Sequence, residues 1–274
     1  MTPRILIHPG FHKTGTSSLQ RATSAQARLL APRLRVLLTD DIRPAIHVAR
    51  RHSVRPDPRR LDTFTSNFAE CLSGVDTHDP RPLLISAEAL SGQIPGRKGI
   101  TGYDTAPDLL ERAVTVLHQT FGDGADIDLW FTTRDPEAWK RSAYYQNLRS
   151  TRLTEGFGTY GPKLDRAARL DQVVEAVRDR LAGRARVTAT RIETCADLPL
   201  GALDIALDRL GVDKTGLRPE PPHNTQPPDA AEALLRLNRS SLSDEALSTA
   251  KRELLRRYRH MAENRGDPTE DVID

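Results

Sequence analysis

Short apolar runs alternate with amphipathic stretches along most of this chain. Arg4–His8, Leu34–Thr39, Pro82–Ser86, Ile127–Thr133 and Arg186–Ile192 are brief runs rich in β-formers, and each reads as a strand. Helical patterns separate them, over 19–30, 42–52, 60–72, 106–121, Pro136 to about 150, 164–181 and 200–210. The Pro-rich stretch 54–58 and the Gly-containing stretch 156–161 break the pattern. After Gly216–Asp229, a linker or ordered loop with five prolines, two more helices are predicted at Ala230–Arg239 and Asp244–Asn264. Strand–helix alternation predicts an α/β fold, a three-layer sandwich with a mostly parallel central sheet and a helical C-terminal segment. A single domain spanning 1–274 accommodates all of it, with no internal repeat.

Composition narrows the setting. Hydrophobic residues make up 38% and charged residues 28%, which excludes disordered and membrane classes. The longest apolar runs are too short to span a bilayer, and the N-terminus lacks the sections of a secretory signal. Two cysteines, Cys71 and Cys195, lack metal-like or disulfide-framework spacing, so a reducing cytoplasm is the expected home. The net charge of +3 argues against an extended nucleic-acid surface but leaves a local anion site open. All but six of the 40 basic residues are arginine, and one of the rare lysines, Lys13, stands in the loop after the first strand.

That loop, Gly10-Phe-His-Lys-Thr-Gly-Thr-Ser-Ser18, lies between a strand and a helix, where backbone N–H groups converge on an anion. Thr16, Ser17 and Ser18 offer hydroxyls and candidate helix caps. In a nucleoside-triphosphate P-loop the lysine follows the second glycine. Here Lys13 precedes Gly15 by two positions, so the Mg²⁺-binding Lys-Ser/Thr pair is out of register. Lys13-Thr-Gly-Thr-Ser17 instead resembles the donor-binding loop of sulfotransferases that use 3′-phosphoadenosine 5′-phosphosulfate (PAPS). The longer string Gly10–Gln20 is similar to a bacterial branch of that family. The resemblance implies a P-loop-like nucleotide-binding core. In it Lys13 contacts the bridging oxygen of the donor, Thr14, Gly15, Thr16, Ser17 and Ser18 cradle the 5′-phosphate, and no metal is required. Taken without the resemblance, the loop also reads as a Ser/Thr-rich helix cap with a solvated Lys13.

The family also recognises the 3′-phosphate through an arginine at a strand end and a serine eight residues later. Arg134 and Ser142 have that spacing, with Pro136 opening a helix between them. An arginine fork and a hydroxyl suit a phosphate on chemical grounds, although Arg134-Asp-Pro136 also reads as a helix capped by Asp135. A base must accept the acceptor's proton. Ser86-Ala-Glu88 resembles the Ser-x-Glu segment of carbohydrate-type sulfotransferases, which implies Glu88 as base. The alternative is a glutamate in a short helix capped by Ser86. His12 either contacts acceptor or phosphate or is a satisfied loop histidine. His47, on a predicted helix, either faces the acceptor or sits at the core edge. Arg97-Lys-Gly99 matches a family phosphate motif out of order and reads better as part of a mobile loop, Gly92–Gly102, near the acceptor.

The expected activity is therefore sulfuryl transfer from PAPS to a hydroxyl or amine of a small-molecule, lipid or carbohydrate acceptor. A kinase would need an acidic strand end near Thr16 or Ser17, for which Asp40 is the candidate. A non-catalytic nucleotide-binding module would not need Lys13.

Overall fold

Period-two alternation in the strands decides the layering. Ile5 and Ile7, Leu83 and Ile85, and Leu129 and Phe131 project into one hydrophobic cluster, while Leu6, Leu84 and Trp130 project into a second. All of these are essentially solvent-free, so the sheet is covered on both faces.

The computed structural model describes residues 2–219 and 229–263. In chain order the elements are β1 (Arg4–His8), α1 (Thr16–Ala25), α2 (Ala27–Leu30), β2 (Arg35–Leu38), α3 (Arg43–Val54), α4 (Pro58–Leu72), β3 (Leu83–Ser86), α5 (Ala106–Phe121) and β4 (Asp126–Thr133). They continue with α6 (Pro136–Ser150), α7 (Phe157–Tyr160), α8 (Leu170–Leu181), β5 (Arg186–Arg191), α9 (Ala202–Leu210), α10 (Ala230–Arg239) and α11 (Asp244–Glu263). The five strands form one parallel sheet in the order β2-β3-β1-β4-β5. Helices α1, α2 and α9 cover one face, and α3, α4, α5, α6, α8 and α10 contribute to the other. The α/β three-layer sandwich expected from the sequence is the observed fold.

The chain leaves β1 toward β2 on one side and leaves β4 toward β5 on the other. Such a divergence opens a crevice beyond the carboxyl ends of the strands. His8 ends β1, Ser86 ends β3 and Thr133 ends β4, so the loops after these residues share one rim.

Three boundaries differ from expectation. The first helix starts at Thr16 rather than Leu19 and breaks at Gln26, whose side chain is occupied with the backbone of Arg218. The helix expected from Leu164 begins at Leu170, because Leu164, Ala167 and Ala168 pack into the core as turns while Lys140 holds Asp165. Residues 220–228 of the Pro-rich stretch, and Asn264 at the end of the last helix, lie outside the described residues.

The C-terminal helices pin the end of α6. Asn238 donates to the carbonyls of Leu148 and Leu153 at 3.1 and 2.9 Å. Lys251 Nζ is buried and donates to the carbonyls of Leu148 and Thr151, both at 2.7 Å. An ammonium on the last-turn carbonyls satisfies groups that no intrahelical N–H reaches, and it complements the helix dipole. No helix among the described residues is long and apolar enough to cross a membrane.

Candidate active site

The loop between β1 and α1 is held in left-handed turns at Gly10 (φ 51°), Lys13 (φ 70°) and Gly15 (φ 95°). Glycine is needed at two of them on packing grounds as well. A Cβ on Gly10 would lie 2.3 Å from Thr16 Oγ1, and one on Gly15 would lie 2.5 Å from Ile192 Cδ1. Lys13 has no such exemption, and its conformation costs on the order of 1–2 kcal/mol. Strain of this kind is maintained only where surrounding contacts over-determine it.

Gly15 is the N-cap of α1 and makes no side-chain cap bond, so the serines and threonines do not cap the helix as expected. Among the described residues, the N–H groups of Lys13, Gly15, Thr16 and Ser17 have no protein acceptor. The Thr16 hydroxyl is buried and unpartnered. Free N–H groups at a helix N-terminus, a buried hydroxyl and an adjacent lysine make a cradle for a phosphate.

A chain of hydrogen bonds braces this loop from behind. Thr14 Oγ1 donates to Phe11 O at 2.8 Å and accepts from Phe11 N at 3.3 Å. Its proton is thereby committed, so Thr132 Oγ1, 3.0 Å away, must donate to it. Thr132 then accepts from His8 Nε2 at 3.1 Å, which leaves His8 Nδ1 to accept from Ser86 Oγ at 3.2 Å. Each hydroxyl proton is used once, and the Nε2-protonated tautomer of His8 follows. Ser86 is therefore spent on His8 and does not cap the turn at Glu88, whose N-cap is Ala87. Thr14 does not join the cradle expected of it: its hydroxyl and its N–H are both engaged with Phe11, it is fully buried, and it does not line the cavity.

On the cleft side, Trp139 Nε1 donates to His12 O at 2.8 Å, and His12 N donates to the Tyr103 hydroxyl at 3.1 Å. These bonds aim the His12 ring across the cleft, with Nε2 3.6 Å from Glu88 Oε1. Burial, reinforced by Arg50, Arg97 and Lys13, lowers His12 to about 3. Burial likewise lowers His8 to about 3. Glu88 is pushed above the ordinary carboxylate value by burial, against the pull of Arg50 and Lys13. Lys13 is lowered by burial, then by Arg149 and Arg134, with Glu88 opposing.

The two neutral histidines have a measurable cost in acid. Their folded values, about 3 against 6.5, mean that their contribution to stability is complete above 6.5 and is lost as pH falls toward 3. Two such groups are expected to remove as much as about 2.5 kcal/mol of unfolding free energy per pH unit near pH 5. Urea titrations at stepped pH measure this, and His8→Gln should remove about half of the histidine contribution to the slope. An unchanged slope would mean that His8 titrates normally in the folded chain.

Asp135 caps α6 by accepting from Ala138 N at 2.9 Å, and its own N–H donates to Glu193 at 3.0 Å. Arg134 remains free of that cap and donates to Lys13 O at 3.2 Å, bracing the strained residue. Ser142 and Gln146 follow on the cleft-facing side of α6, one turn apart. Together the loop, Glu88, Arg134 and α6 enclose a cavity of about 470 Å³.

Of the residues singled out in the sequence, His12, Lys13, Gly15, Thr16, Ser17, Ser18, Glu88, Arg134 and Ser142 line this cavity. His47 does not: it is exposed on α3, where Ala45, Ile46 and Ala49 are the buried positions. Asp40 follows the edge strand β2, pairs with Arg43 at 2.7 Å and does not line the cavity. The segment bearing Arg97 is anchored rather than loose, with Ile94 buried and Arg97 Nε donating to Asn147 Oδ1 at 2.6 Å. Tyr103, Trp139, Gln146 and Glu193 were not singled out. Gln146 alone left a local signal, four residues after Ser142 on one helix face.

No protein-family model matches the chain, and no curated protein matches it at a significant level.

Proposed function

We propose that the chain is a PAPS-dependent sulfotransferase, acting on a hydroxyl or amine of a small-molecule, lipid or carbohydrate acceptor. The observation that carries this reading is the pairing of two phosphate-type sites in one cleft. A lysine-first loop with free N–H groups stands on one side, and Arg134 with Ser142 on the other. A donor with phosphates at both ends calls for two such sites. The unpartnered Thr16 hydroxyl also fits a phosphate ligand.

When bound, the donor supplies an activated sulfuryl group on a phosphate leaving group. Thr16, Ser17, Ser18 and the loop N–H groups hold the 5′ end, and Arg134 with Ser142 the 3′-phosphate. Lys13 presents an ammonium to the negative charge that develops on the departing oxygen, and its lowered pKa makes it a stronger donor there. Glu88 takes the acceptor's proton, a role favoured by a carboxylate whose basicity burial has raised. Neutral His12, beside Glu88, limits water access to that carboxylate. The acceptor gains the sulfuryl group, its proton passes to Glu88, and the electron pair of the broken bond leaves with the phosphate. Free Cys71 and Cys195 suit the reducing cytoplasm in which we place the reaction.

Calorimetry with 3′-phosphoadenosine 5′-phosphate (PAP), against ATP with and without Mg²⁺, tests the donor. The expected result is metal-independent preference for PAP, weakened about 10- to 100-fold by Arg134→Ala through loss of charged hydrogen bonds. Preference for Mg²⁺-ATP, or indifference to Arg134, would overturn the reading.

A further inference from the structure

Beside the residues that line the cavity stand further cations that donor binding leaves unemployed. Arg50 stands on α3 one turn before Ser53, whose hydroxyl accepts from Gln93 N at 2.9 Å. This end of α3 therefore lies against the turn that starts at Glu88, and a Cβ on Gly92 would come within 2.9 Å of Ser53. Arg50 Nε is buried and has no hydrogen-bond partner. Arg97 lies against α6, donating through Nε to Asn147 and through Nη2 to Gln146 O and Ser150. Its Nη1 has no acceptor among the described residues. Arg149 lies one turn beyond Gln146 on α6, stacked over Tyr145 at 5.7 Å.

Several surface arginines elsewhere are paired, as Arg43, Arg152 and Arg184 are with Asp40, Asp244 and Glu111, while exposed ones such as Arg21 and Arg51 stand in solvent. Among the described residues, no carboxylate lies within ion-pair distance of Arg50, Arg97 or Arg149. Yet Arg50 and Arg97 both act on His12, whose Nε2 lies 3.6 Å from Glu88, and Arg50 acts on Glu88 itself. His12 Nδ1, buried at the cavity wall, is also without a partner. Two half-buried guanidinium groups and the exposed Arg149, around His12, Lys13 and a single glutamate, leave a local excess of positive charge. Such an excess is stabilised when an anion enters.

We propose that Arg50 and Arg97, with Arg149 at the rim, form a subsite for an anionic group on the acceptor. The acceptor is then a hydroxyl- or amine-bearing carboxylate or phosphate, not a neutral phenol or sugar. This rests on the sulfotransferase reading, because that reading makes Glu88 the acceptor side of the cleft. An anion on Arg50 also offsets the charge that favours ionised Glu88, and so strengthens the base when the acceptor is in place.

The test uses the full chain saturated with PAP, so that the donor site is filled, and titrates glycerol 3-phosphate, glycerate and glycerol in parallel. Both anions, or one of them, should bind at least about tenfold tighter than glycerol, and which one binds identifies phosphate or carboxylate as the preferred group. Arg50→Ala and Arg97→Ala should each weaken the anion about tenfold or more, with PAP affinity changed less than about twofold. Arg50→Lys, which keeps the charge, should retain most of the binding and guards against an unfolded alanine variant. Binding of glycerol as tight as either anion, absence of anion binding, or a loss of PAP affinity equal to the loss of anion affinity would each overturn the subsite. Failure of the wild type to bind PAP strikes the sulfotransferase reading instead. The anions are then titrated against the PAP-free chain, where dependence on Arg50 and Arg97 upholds the anion site and independence ends it.

Discussion

Lys13→Ala is expected to slow sulfuryl transfer by about 10²–10³-fold while leaving PAP affinity within a few-fold, the size of effect seen when one donor to a developing anion is removed. The backbone explains why the two quantities separate. The free N–H groups of Lys13, Gly15, Thr16 and Ser17 belong to the loop's conformation, not to the lysine side chain. Alanine carries the same Cβ into the same left-handed φ of 70°, so the turn keeps its strain and its shape. The bracing from behind, Ser86 to His8 to Thr132 to Thr14, does not touch the lysine side chain either. What disappears is the ammonium alone. Slow release of sulfate from PAPS to water measures the effect before any acceptor is known, and single-turnover kinetics measure it afterwards. A variant that releases sulfate at the wild-type rate would show that Lys13 serves binding and not the leaving group.

Glu88→Gln should cost about 10²–10⁴-fold in acceptor sulfation, the usual span for a positioned base. The pH profile tests the role more sharply than the rate. The base works in its ionised form, so wild-type activity falls as pH drops through the folded pKa of Glu88. Burial has raised that value above 4.5, so the acid limb should lie higher than for an exposed carboxylate. Glutamine removes the titrating group, and the limb should vanish. Stability moves the other way. A raised carboxylate pKa means that folding favours the protonated form below the unfolded value, and this advantage is lost as pH rises through the folded one. At neutral pH the ionised Glu88 is thus a burden on folding, and Glu88→Gln should melt no lower than wild type. A variant both inactive and less stable would indicate a structural part for Glu88 in place of the chemical one.

Strands and their order along the chain were legible because each is a local apolar run. Ile5, Leu6 and Ile7 announce a two-sided strand without any knowledge of its neighbours. The glycine- and hydroxyl-rich loop after β1 was legible for the same reason, since its residues are contiguous. What escaped is what the fold assembles from a distance. His8 gains its tautomer from Ser86 and Thr132, which are 78 and 124 positions away. Arg50, Arg97 and Gln146 come from three separate segments, and none bears a signature alone. His47 shows the opposite error: an imidazole on an amphipathic helix suggested chemistry, but its face of α3 turns to solvent. The capping role assigned to the loop hydroxyls failed for a physical reason as well. A helix that leaves its first N–H groups free for an anion cannot also spend them on its own side chains.

The ammonium of Lys251 and the amide of Asn238, both clamped on the closing turn of α6, link the far end of the chain to the cleft. Helix α6 is a lever: one end carries Ser142 and Gln146 into the cavity, and the other is gripped by α10 and α11. Sequence drift in these two helices is therefore not neutral tail variation. A change that loosened the grip would be felt as altered ligand affinity more than 100 positions upstream of Lys251, in a cavity that Lys251 does not line.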